Sequence, residues 1–183
     1  MAGIEIHPAI VIAVFVFMIA ASISDVRERR ISNRLNFSAI VVGLSLQFVF
    51  GGLDGLVFGL KGFGIGLGVL LIPFVAGMMG GGDVKFAAAA GVFLGWRLLL
   101  VGLAVGVLLG GIAGAISLAR QQKFKSAFRG LTADILCLAG GVKPETLKST
   151  AASETIPYGV HLAMGLGVTL LAVIFRWVPW VNL

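Results

Sequence analysis

From Phe86 to Ala119 the chain carries one charged side chain, Arg97. As a single straight α-helix this run would reach about 50 Å, whereas the hydrocarbon core of a bilayer is about 30 Å thick. The run is too apolar for a watery surface and too long for one crossing. Gly95-Trp96-Arg97 is where it can break, because glycine frees the backbone and Trp and Arg suit a membrane interface. The break yields a short fourth span and a full fifth. Further apolar runs lie at 8–24, 37–50, about 56–78 and 156–175, and the Gly and Asp of GGLDG predict a turn at 51–55. The pattern predicts an all-α polytopic membrane protein, one domain over 1–183, with six transmembrane helices.

Composition agrees. Hydrophobic residues make up 58% of the chain and charged residues 12%, and the mean hydropathy is +1.06. A soluble domain of this size would leave much of that apolar surface in water. The net charge of +6 therefore reads as membrane orientation and contact with anionic lipid rather than nucleic-acid binding. With the N-terminus outside, the loops 25–36, 79–85 and 120–155 face inward and hold eleven of the fourteen Lys and Arg. Five spans would place the basic 120–155 loop outside, against the positive-inside rule. The start MAGIEIHPAI has no basic region, so the first run reads as a retained span rather than a signal peptide.

The single Cys137 permits no intrachain disulfide, and His7 and His161 are too far apart in sequence to read as a metal pair. No metal or cofactor is expected. In the long polar stretch, Phe124, Phe128, Leu131, Ile135 and Leu138 recur at helical spacing while Lys123, Lys125, Arg129 and Asp134 fall elsewhere on the wheel. This predicts an amphipathic helix lying on the membrane surface within the loop at about 120–155.

Two carboxylates stand at one predicted depth. Asp25 ends the first span and Asp83 precedes the fourth, both at the inner face. Ionisable groups at membrane level are costly and mark function by default. If the two meet, they share a proton load: one carboxylate takes a proton from water while a protonated partner polarises a carbonyl. That is hydrolysis without a metal or a covalent intermediate. Gly80, Gly81 and Gly82, just before Asp83, either form the inner turn or let a substrate strand approach the main chain.

Gly80-Gly81-Gly82-Asp83 matches the G-x-G-D signature of the type IV prepilin peptidases, which are intramembrane aspartic proteases, and the surrounding GGGDVKFAAAAGVFLGW is similar to that family's stretch. Asp25 followed by VRERRISN resembles the family's first aspartate with its basic inner loop, and IPYGVHLAMG at 156–165 looks like its last-helix segment. The resemblance implies that Asp25 and Asp83 are the catalytic pair. It implies cleavage of a short basic leader from prepilin or pseudopilin precursors at the inner face of the bacterial cytoplasmic membrane. Two features depart from the family. Ile31-Ser32-Asn33 stands where it often reads Ile-Pro-Asn, and the paired cysteines of the larger members' methyltransferase region are absent. The chain therefore resembles the compact peptidases that serve Flp or tight-adherence pili.

The remaining residues admit two readings each. Lys85 binds a substrate carbonyl or lipid phosphate, or it snorkels to the headgroups. Pro157-Tyr158-Gly159 lines the floor of the site or merely starts the last helix. Asn33 keeps its place in the loop motif. His161 reads as a packing residue. Two rivals share the aspartates: a presenilin-like protease of other membrane helices, and a proton-coupled transporter with the carboxylates as a relay. The first expects a Pro-Ala-Leu motif and the second paired repeats, and neither is evident.

Overall fold

The structure is a computed structural model in which residues 7–28, 31–75, 79–120 and 158–175 are described. Four helices make up this part: α1 (Pro8–Glu28), α2 (Asn33–Val75), α3 (Gly81–Arg120) and α4 (Tyr158–Ile174). The expected all-α class holds. Three helical stretches are long and apolar enough to cross a membrane: Pro8–Glu28, Asn33–Val75 and Gly81–Ala113; Gly159–Ile174 is a shorter apolar helix. The surface helix expected near 120–155, Cys137 and Pro157 lie outside the described residues.

α2 and α3 are each interrupted once. Gly52 (φ 57°, ψ −142°) and Gly95 (φ 69°, ψ 174°) adopt backbone angles that are essentially restricted to glycine. The chain folds back at each. Past Gly52, Gly55 abuts the Gln47 carbonyl and Gly59 lies against Leu44, so the two arms of α2 run antiparallel. Past Gly95, the Leu99 side chain returns to Gly91. The turn expected over 51–55 is thus one residue, and helix resumes at once. The break expected at Gly95 is where the structure has it.

A break inside a bundle strands backbone carbonyls, and lipid offers them no donor. Gln47 answers this. Its Nε2 donates to the carbonyls of Val92 and Phe93, 3.1 Å each, in the last turn before Gly95. Gln47 is itself only 2% exposed. The hydroxyls of Ser22, Ser45 and Thr169 are satisfied within their own helices, each donating to the carbonyl four residues earlier.

The first arm of α3 is the centre of the molecule. Every residue from Phe86 to Gly95 is buried, as befits a helix apolar on all sides. Small residues let neighbours close on it. Gly62 abuts the Gly91 backbone, and a Cβ on Gly66 would stand 2.5 Å from the Ala87 carbonyl. Phe17 of α1 stacks near Phe86 and Phe93, with ring centroids 5.4 and 6.2 Å apart. α4 runs antiparallel to the second arm of α3, with Gly102 against Leu166 and Gly106 against Leu162. The outward side chains are oily, among them Val49, Leu53 and Ile72, each more than 70% exposed. Such a surface is stable against acyl chains and not against water.

One end of the bundle gathers helix termini. His7 immediately precedes α1 at the far end, where its ring stacks on Phe50 at 3.8 Å. α1 therefore delivers Asp25 to the opposite end, beside the beginnings of α2, α3 and α4.

Candidate active site

Asp25 reaches the interior through the spacing of α1. Ile10, Val14, Phe17, Ala21 and Asp25 recur every three to four residues and are all buried. The carboxylate thus continues an apolar stripe, pointing into the bundle rather than toward lipid. It meets the start of α4. A Cβ on Gly159 would lie 2.8 Å from Asp25 Oδ2 and 3.1 Å from Cγ. The N–H groups of Gly159 and Val160 interact with the carboxylate, and His161 follows them directly in the first turn of α4. These first N–H groups have no partner within their own helix, and the helix dipole adds positive potential there. Oδ2 itself is buried without a hydrogen bond among the described residues.

Asp83 arrives by a different local device. It is the third residue of α3, and its Oδ2 accepts the Gly80 N–H at 3.3 Å while its own N–H donates to the Gly80 carbonyl at 3.1 Å. This is the N3 half of a capping box, with the backbone carbonyl of Gly80 accepting where an N-cap side chain otherwise would. The inner loop expected over 79–85 is therefore already helical from Gly81, because the carboxylate caps the first turn. Gly81 lies against Phe74, and a Cβ on Gly82 would stand 3.5 Å from the backbone nitrogen of Ile31. Asp83 is half-buried, and its charge and that of Asp25 act on one another.

Between the two aspartate arms sits Ile31, 5% exposed. Its backbone faces Gly82, and its Cδ1 would be 3.0 Å from a Cβ on Gly159. The loop residue after α1 thus wedges the starts of α3 and α4 at a set spacing. Ser32, at the expected proline position, accepts the Asn36 N–H at 3.2 Å and so occupies the N-cap of α2. Serine is among the preferred residues there, so the departure from proline is compatible with the turn.

Lys85 Nζ donates to Asn33 Oδ1 at 2.8 Å, which ties the start of α2 to that of α3 beside Asp83. The structure therefore brings together Asp25, Asp83, Gly80, Gly81, Gly82, Lys85, Asn33 and Gly159 at one end, where Tyr158 also opens α4. Sequence reasoning passed over Ile31, Asn36 and Gln47. The last two had a signal: they are polar, lie in or beside an apolar run, and are eleven residues apart, which is one helical face. Among the described residues no three His, Cys, Asp or Glu side chains gather to hold a metal ion. Two carboxylates within electrostatic range of each other are the kind of groups that acid–base hydrolysis uses.

Comparison with known families gives one match: the model described as the Type IV leader peptidase family covers residues 12–115. That stretch holds both aspartates, the loop between α1 and α2, and Gln47. No curated protein and no solved structure matched.

Proposed function

The chain belongs to the type IV leader peptidase family, whose members are aspartic prepilin peptidases, and from that premise we propose that Asp25 and Asp83 are the carboxylates that cut the leader. It is a multi-pass membrane enzyme, and its family implies prepilin substrates. One observation carries the assignment. Two carboxylates from helices far apart in sequence lie within electrostatic range of each other at the end where α2, α3 and α4 begin.

The chemistry follows from that pair. A water molecule held between the carboxylates gives its proton to one and attacks the scissile carbonyl. The other carboxyl donates a proton to the carbonyl oxygen. Collapse of the tetrahedral intermediate expels the amine with a returned proton. The pair titrates as one unit. A helical substrate has its peptide groups paired internally, so it unwinds locally before the bond is accessible. The start of α3, with Gly80, Gly81 and Gly82, offers main chain without side-chain bulk for it to lie against.

The finer reading is a Flp-like pilin precursor, processed at the cytoplasmic face by a bundle of six spans. The breaks at Gly52 and Gly95 and the basic inward loops support that count. The test is expression in membranes together with a prepilin-type precursor. Wild type trims the leader, whereas Asp25→Asn and Asp83→Asn insert normally and accumulate intact precursor. Cleavage at the wild-type rate by either variant would remove that aspartate from the mechanism.

A further inference from the structure

Asn36 is 2% exposed, and neither its Oδ1 nor its Nδ2 has a hydrogen-bond partner among the described residues. A buried carboxamide with both ends unmatched is rare and costly, and calls for an explanation. Gln47, on the same helix face, shows the ordinary outcome: its Nε2 is matched to carbonyls of α3.

The position of Asn36 is bracketed by contacts. On the same stripe of α2, Asn33 reaches Lys85, and Gly43 lies against Val92 and Phe93. Asn36 therefore faces α3 between the level of Lys85 and that of Val92, one turn inside the Lys85–Asn33 bridge. The first turn of α3 carries Asp83. The bridge is itself exposed and held by a single hydrogen bond, so it can open without unpacking the core.

We propose that Asn36 is a substrate-holding residue: its carboxamide pairs with the main chain of the unwound peptide once the Lys85–Asn33 bridge gives way. A peptide group drawn out of its helix has one N–H and one carbonyl unpaired. A carboxamide offers one acceptor and a donor in the complementary arrangement. Main-chain pairing is indifferent to side-chain identity, as needed where only the backbone near the cut is unwound. The inference rests on the peptidase reading of Asp25 and Asp83.

The test measures cleavage of a synthetic prepilin-type peptide, together with thermal unfolding of the detergent-solubilised full chain, for Asn36→Leu and Asn36→Ala. Removing an unmatched polar group leaves the resting fold intact, so at least one variant keeps or raises the unfolding midpoint. Its kcat/KM falls about ten- to a hundredfold, the equivalent of one or two peptide hydrogen bonds. Unchanged kcat/KM in both variants overturns the proposal. So does a loss of activity that tracks a lowered midpoint in both, which would make Asn36 a packing residue. Asp83→Asn in the same assay separates the two readings. If it still cleaves, the site assignment fails; if it is inactive while both Asn36 variants cleave normally, only the present inference fails.

Discussion

The carboxylate of Asp25 and the backbone of Gly159 occupy adjoining space: a methyl group on Gly159 would stand 2.8 Å from Oδ2 and 3.0 Å from Ile31 Cδ1. Only the residue without a side chain lets the start of α4 come this close to α1. The contact joins residues at opposite ends of the chain and sets where Asp25 sits relative to Asp83.

Gly159→Ala is expected to displace the Asp25 carboxylate while leaving the bundle folded. A misplacement of about 1 Å costs on the order of a hundredfold in rate. Cleavage of a prepilin-type peptide should fall mainly in kcat, with unchanged membrane insertion. Wild-type kcat in this variant would mean that the close approach has no catalytic consequence.

Gln47→Leu should destabilise the protein without touching the candidate site. It removes the donor to the carbonyls of Val92 and Phe93. Each carbonyl left unpaired in the interior costs about 1–3 kcal/mol. Thermal unfolding in detergent should show a clearly lower midpoint, with residual activity per folded molecule near wild type. An unchanged midpoint would show that the break at Gly95 needs no partner from α2.

Gly95→Ala should be far worse than Gly52→Ala. Both positions hold glycine-only backbone angles, which cost another residue on the order of 1–3 kcal/mol. At Gly52 nothing lies within 4 Å of an added Cβ, whereas at Gly95 the ring of Phe58 fills that place. Comparing the yield of folded protein for the two variants checks this. Equal yields would mean that the Phe58 contact gives way freely.

Much of this architecture was readable along the chain because its causes are local. Apolar runs, the glycines that end them and the basic loops are each defined within a few residues. So is the proximity of Asp83 to Gly80, a capping interaction across three positions. The break at Gly95 was visible because a bilayer has a finite thickness and the run from Phe86 to Ala119 exceeds it.

Other features had no local cause. That Gly159 receives Asp25, that Ile31 wedges two helix starts apart and that Gln47 closes the broken end of another helix depend on which helices become neighbours. Helix neighbours in a bundle are chosen by the packing of small residues such as Gly62 against Gly91 and Gly102 against Leu166. That choice is made by surfaces meeting across space, and spacing along one helix does not record it. Hydropathy and backbone preference thus decided where the helices lie and turn, and close packing decided which polar groups meet.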